Sequence, residues 1–252
     1  MTFYELYKLL DSKFPRELSC DWDNDGIMCA DDFSASVNRV LVALDVTDET
    51  IDYAEKNGFD TIISHHPLVF KAQRALAVDS FVQAKLIRLI KSSIRVISLH
   101  TRLDAGNDGV NDTLACVLGF SNLECDPDEP LGRIATLDRE MGLSEFCEYV
   151  KARLGAPYLS YIGKKTVKRV YLCGGDGKDM IKNAICVGAD TLLTGNASYN
   201  SMLDAQECGL NVVEAGHFYT ENPVCQSIKK LLCGCDFDIY VEVFNSNKIK
   251  TI

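Results

Sequence analysis

Long apolar runs are missing from this chain. No stretch of about 18 consecutive apolar residues occurs, so no membrane-spanning helix is expected. Clustered positive charge is missing as well. The 26 Lys and Arg stand against 36 Asp and Glu, the formal net charge is −10, and no basic run exceeds a pair. Phosphate-backbone binding needs a basic surface, so no nucleic-acid partner is expected. There is no P-loop to cradle a triphosphate. The eleven cysteines include no CxxC pair, and Cys233-Gly234-Cys235 is too tightly spaced for the usual zinc knuckle. An odd, scattered set of thiols, with an opening "MTFYELYKLL" that reads as an amphipathic helix and not a cleavable signal, predicts a reducing cytoplasm. Cys173 and Cys186 are expected to serve as small buried hydrophobes.

The chain does carry 252 residues with 47% apolar content, enough for one large domain or two moderate ones. Strand-like runs alternate with helical ones. "RVLVALDV" leads into "TDETIDYAEKNG", with a Thr/Asp start and Gly58 as a stop; "DTIIS", "SFVQAKLIRLIKSS" and "IRVISLH" follow. This is the pattern of βαβ units around a largely parallel sheet, an α/β class. The pattern recurs. At an offset of 130, residues 39–64 align with 169–194 without gaps, with seven identities in 26 positions. Arg39, Val40, Ile51, Ala54, Gly58, Asp60 and Thr61 match Arg169, Val170, Ile181, Ala184, Gly188, Asp190 and Thr191. Two similar α/β halves arising by duplication are therefore expected, over 1–125 and 126–252, joined by the acidic, proline-containing "SNLECDPDEPLGR".

Histidine is scarce, with four in the chain, and all four fall at or just beyond a predicted strand end: His65, His66, His100 and His217. Open parallel sheets bind ligands there. Adjacent side chains on a continuing strand point to opposite faces, so His65 and His66 can share a site only if the strand ends. Pro67 favours that. The second copy carries Gly195-Asn196-Ala197 at the same corner, so the fold itself does not demand histidine. Asp104 follows His100 by four residues, and Glu221 follows His217 by four, which in a helical turn places each pair on one face. Asp45, Asp108 and Asp112 are further acidic candidates, with Asp112 expected at the start of the helix "VNDTLACVLG" and Asp45 equally suited to a cap. Nitrogen and carboxylate donors without cysteine suit Zn, Mn, Fe, Co or Ni. Five or six such donors exceed one tetrahedral ion, and two divalent ions about 3.5–4 Å apart would use them all.

The motifs "WDNDGIMC", "SHHPLVF", "HTRLDAGNDGVNDTLA", "TLLTGNASYN" and "GHFYTE" together resemble the Nif-three-like dinuclear metal centre family, whose members are called GTP cyclohydrolase 1 type 2 homologues. The resemblance covers nearly the whole chain. It implies two intertwined three-layer α/β/α domains, a two-metal site between them and a toroidal homohexamer. It also implies His65, His66, Asp104, His217 and Glu221 as metal ligands, Glu221 bridging, with His100 beside the site. The chain departs from the family pattern at Asn196 and Asn200, where members often carry an acidic residue and a histidine, and it lacks the large inserted domain of longer members.

A two-metal site suits hydrolysis of a small polar or nucleotide-like substrate, with His100 as proton shuttle. No strong basic triphosphate clamp is present, and Lys164-Lys165 and Arg133 are the residues available to supply charge in an oligomer. The contrasting expectation is a non-enzymatic metal store, delivery factor or scaffold. A purely structural metal site fits less well, because such sites usually close with cysteine.

Overall fold

The recurrence at 130 residues is a recurrence of hydrogen bonding. In the computed structural model, which describes residues 1–250, strand β2 (Arg39–Ala43) leads through helix α2 (Asp48–Lys56) to strand β3 (Thr61–Ser64). The Asp60 carboxylate accepts from the backbone N–H groups of Asn38 and Arg39 at 2.8 and 3.1 Å and from the Thr61 hydroxyl at 2.9 Å. In the second copy Asp190 accepts from Lys168 and Arg169 N–H at 2.9 and 2.7 Å and from the Thr191 hydroxyl at 2.7 Å. The strand registers coincide too: Val40 lies opposite Thr61, and Val170 opposite Thr191. Gly58 (φ +66°) and Gly188 (φ +72°) end the intervening helices in the left-handed region, where a Cβ is disfavoured even in open space. The repeated residues are thus the punctuation of the unit: a helix stop and a carboxylate that staples adjacent strand starts.

The first compact unit comprises Met1–Gly106 and Cys225–Ile249. Its elements begin with α1 (Phe3–Lys13), opened by a Thr2/Glu5 capping box, and β1 (Gly26–Cys29). After β2, α2 and β3 come α3 (Phe81–Lys91), β4 (Arg95–Ser98) and the short α4 (Thr101–Ala105). Leu41, Ile62 and Val96 on one sheet face pack with Ile51 and Ala54 of α2 and Leu89 of α3.

The second unit holds Asn107–Val224. It runs α5 (Val110–Leu118), β5 (Leu123–Cys125), β6 (Arg133–Met141), α6 (Leu143–Leu154), β7 (Ser160–Ile162) and β8 (Val167–Asp176). It continues with α7 (Ile181–Cys186), β9 (Thr191–Asn196), α8 (Tyr199–Glu207), β10 (Asn211–Glu214) and α9 (His217–Glu221). The sheet order is β5-β6-β8-β9-β10-β7, parallel through β8, β9 and β10. Alternation splits its core into two faces. Val170, Leu172, Leu193 and Val213 meet α5 and α6, whereas Tyr171, Cys173, Leu192 and Val212 meet α7 and α8. This unit is a three-layer α/β/α sandwich.

The chain then returns to the first unit. Helix α10 (Pro223–Cys233) leads to β11 (Tyr240–Phe244), which pairs in parallel with the outer edge of β2. The first sheet is therefore ordered β1-β4-β3-β2-β11, with β1 antiparallel to β4. These units differ from a division at 125/126 at both junctions. The acidic segment at 121–133 lies inside the second unit, because β5 pairs with β6, Leu123 packs on its core and Asp126 accepts from the buried Tyr171 hydroxyl at 2.7 Å.

Cys173 is buried as expected, but Cys186 is exposed. It follows the core-facing Ala184 by two residues on α7, which turns it about 200° away from the sheet. Among the described residues no disulfide joins the cysteines, and no helix is long and apolar enough to cross a membrane.

Candidate metal centre

Strand β3 does end at Ser64. The next backbone N–H groups follow the neighbouring strands outward: His66 N donates to Leu44 O at 3.0 Å and Leu99 N to Ser64 O at 2.9 Å. The Ser64 hydroxyl meets Ser98 Oγ at 2.7 Å and His66 O at 2.9 Å, fixing the corner from below. Both histidine rings consequently reach one locus, their centroids 5.0 Å apart. His100, the residue before α4, joins them at 5.3 Å from His65 and 5.9 Å from His66. One ring nitrogen from each of the three lies within 4.8 Å of the other two. Asp104, one helical turn after His100, brings Oδ1 to 3.5 Å from His65 Nε2.

Each ring is oriented from behind. His65 Nδ1 lies 2.9 Å from Leu99 O, a group that can only accept, so Nδ1 carries the proton. His66 Nδ1 meets Asp45 Oδ1 at 2.7 Å, and His100 Nδ1 meets Asp23 Oδ1 at 2.8 Å. In all three the neutral ring keeps its lone pair on Nε2. This is how metal-ligating histidines are held, with the second nitrogen donating to a carbonyl or carboxylate that sets the tautomer. Neutral imidazole nitrogens, a carboxylate and no thiol form a donor set that fits a borderline divalent ion.

The second unit repeats the device. His217 and Glu221 sit four apart on α9, and Nε2 lies 3.0 Å from Glu221 Oε2. His217 Nδ1 meets Asn196 Oδ1 at 3.0 Å. The departure at Asn196 thus places a neutral amide behind His217, where His66 and His100 have carboxylates. Asn200 is exposed. Two glycines make room for α9. A Cβ on Gly175 (φ +66°) would lie 2.1 Å from Glu221 Oε1, and one on Gly195 would lie 2.6 Å from both Gly175 O and Thr220 Oγ1.

Several of these residues escaped sequence reasoning. Asp23 lies within "WDNDGIMC" but had no assigned task. Burial by itself would raise its carboxyl, yet hydrogen bonds from His100 and Thr101 outweigh burial and hold it well below the usual carboxylate range. Thr101 N and Oγ1 donate to it at 3.0 and 2.6 Å. Asp25 of the same motif takes the buried Arg102 guanidinium at 2.8 and 2.9 Å, so the motif is anchored to the helix that carries Asp104. Gly175 could have been noticed in the Gly-Gly-Asp at the end of β8. Asp45 orients His66 and does not cap α2, a task that falls to Thr47. Asp112 is in the first turn of α5 as expected, and accepts from Arg133 at 2.6 Å; Asp108 N donates to Asp112. Arg133 itself is buried and also donates to Pro130 O and Gly132 O, so it is not a surface clamp for phosphate.

A parallel-cored α/β chain with oriented histidines at its strand ends defines a class of candidate metal-binding proteins. The comparisons narrow the class. The model of Duf34/NIF3 (NGG1p interacting factor 3) matches residues 1–251, and the chain belongs to this family. A Clostridium acetobutylicum relative named GTP cyclohydrolase 1 type 2 homolog is 34% identical over 239 residues, covering 91% of this chain and 89% of the relative. A Clostridium perfringens relative of the same name is 33% identical over 232 residues, covering 89% and 88%. Among solved structures, a Staphylococcus aureus hypothetical protein superposes with a TM-score of 0.91 at 27% identity, covering 100% of this chain and 99% of that one.

Proposed function

We propose that this chain is a metal-dependent hydrolase of a small polar or nucleotide-like compound, with two divalent ions held by His65, His66, Asp104, His217 and Glu221. The observation that carries the reading is the common posture of the four histidines: each turns Nδ1 onto an oxygen and keeps Nε2 as the nitrogen able to ligate. Divalent ions held there would supply Lewis acidity and a nucleophile at neutral pH. His65 and His66 offer ligand nitrogens from the end of β3, Asp104 a carboxylate from α4, and the His217–Glu221 pair a second nitrogen and carboxylate from α9. His100 is the acid–base residue. Asp23 holds its Nδ1 proton, which leaves Nε2 to take a proton from a nucleophile or return one to a leaving group. The name carried by the clostridial relatives makes GTP one compound to test. The burial of Arg133 leaves the exposed Lys164 and Lys165 as the cations named for phosphate, which favours a less charged substrate. The homohexamer implied by the resemblance and the cytoplasmic residence expected from the scattered thiols belong to the same proposal.

Anomalous scattering at metal absorption edges should find two ions per chain, and metal-loaded protein should turn over a member of a panel of nucleotides, cyclic amides and phosphoesters. His66→Ala should abolish that turnover while leaving the circular dichroism unchanged. Turnover that survives complete removal of metal would refute the hydrolase reading. Rapidly exchanging metal with no turnover would place the chain among metal-delivery proteins instead. Sedimentation checks the hexamer.

A further inference from the structure

Trp22, the single tryptophan of the chain, is 63% exposed, and Phe70 is 47% exposed. Both rings stand against His100. Trp22 lies 6.2 Å from Phe70 at 71° and 6.2 Å from His100 at 78°; Phe70 lies 6.0 Å from His100 at 88°. Three nearly perpendicular rings make an open corner, two walls aromatic and the third the imidazole.

The corner is held from several sides. Asp23, next to Trp22, accepts from His100 and from both donors of Thr101. Cys20 N donates to Thr101 Oγ1 at 2.9 Å, and the Asn24 amide donates to Val69 O, next to Phe70. The segments bearing the three walls are therefore tied to one another before any ligand arrives, which limits the ordering entropy of binding. Neither Trp22 nor Phe70 belongs to the buried core. Two aromatic side chains offer about 150–250 Å² each, far short of the roughly 800 Å² a side of a stable protein interface. An occupant of small-molecule size matches the corner.

A flat ring lying on one aromatic wall presents its edge to the other two. An aliphatic or branched compound gains only non-directional apolar contact there, without the stacking and edge-to-face terms. We infer that Trp22, Phe70 and His100 form the seat of a planar nitrogen heterocycle, which stacks on an aromatic wall and turns its edge to His100. The inference rests on the hydrolase reading above and names the substrate class for it. A net charge of −10 favours a ring without several phosphates. Stacking on an aromatic face tolerates many ring types, since every base has a π-face.

The lone tryptophan is its own reporter. Adenosine, uridine and pterin are titrated in turn into metal-loaded protein, with ribose as the ring-free control. Saturable quenching of Trp22 emission is expected with the rings and not with ribose. In calorimetric titrations Phe70→Ala and Trp22→Leu should each weaken ring binding about 5- to 150-fold, and Phe70→Tyr should restore it. Because both side chains are largely outside the core, these variants should fold, which circular dichroism checks. Absence of saturable binding of all three rings, or unchanged affinity in both truncations, overturns the inference. A shift of Phe70→Ala to smaller species in sedimentation, with ring affinity unchanged, also overturns it, since the corner is then a contact between copies. Metal content on the same samples separates the failures: absent metal sinks the hydrolase reading, whereas full metal without ring binding sinks the seat alone.

Discussion

The site in the first unit hangs on one buried ion pair, and its removal can be worked through. Arg102 Nε and Nη2 donate to the two oxygens of Asp25 at 2.8 and 2.9 Å, and both side chains are fully buried. Nη1 donates to Asp11 Oδ1 at 2.7 Å and to Phe14 O at 3.1 Å. Burial alone would lower the guanidinium pKa, but Asp25, Tyr7 and Asp11 outweigh it and keep the group protonated. Asp25→Ala therefore strands a buried cation. Breaking such a pair from one side costs about 3–5 kcal/mol. Asp11 remains as a partner, although its side chain is 40% exposed, so the low end of about 3 kcal/mol is expected. That is a folding constant lower by about 150-fold, since about 1.4 kcal/mol is tenfold. With a urea slope of about 3 kcal/mol per M the midpoint should fall by about 1 M. Trp22 sits three residues from Asp25 in the same unit and reports the transition. Arg102 also lies in α4 between His100 and Asp104, so metal bound per chain should fall with stability. Asp25→Leu combined with Arg102→Met should recover most of the stability, because apolar replacement removes both charges together. An Asp25→Ala variant within about 0.5 kcal/mol of wild type, the usual range for surface changes, would refute the reasoning.

Two glycines in the same left-handed conformation should behave differently. Gly188→Ala meets no atom within 4 Å and should cost about 1 kcal/mol of backbone strain with metal content unchanged. Gly175→Ala would set its Cβ 2.1 Å from Glu221 Oε1, so metal content should drop as well; equal metal loss in the two variants would contradict the packing argument. Asp23 supplies a pH test. Its folded carboxyl sits below the unfolded value of about 4, so its stabilisation is fully present above about pH 5 and is lost as pH falls through the folded value. In urea unfolding of metal-free protein, the advantage of wild type over Asp23→Asn should hold level from pH 7 to about pH 5 and shrink from there to pH 3, and a gap that stays constant or widens below pH 5 would sink the assignment.

What the chain reveals before folding is whatever local chemistry controls. Short apolar runs and helical apolar patterns marked the strands and helices, and Gly58 and Gly188 marked helix stops because few other residues accept positive φ. The strand-end position of every histidine was readable, as was the pairing of His217 with Glu221, since a helical turn fixes that spacing. What only the tertiary structure decided lies far apart along the chain. Asp23 reaches His100 across 77 residues, and Asp45 reaches His66 across 21. A short carboxylate in a loop looks the same whether it caps a helix, faces water or orients an imidazole. The return of β11 to the edge of β2 was hidden for a related reason: parallel pairing leaves no local turn to betray the partner. Cys186 was misjudged because a six-residue helix rotates its last residues to solvent without changing their apolar character. Side-chain identity determines which donors exist; the folded backbone determines which oxygen stands behind each ring, and so which nitrogen is left to bind.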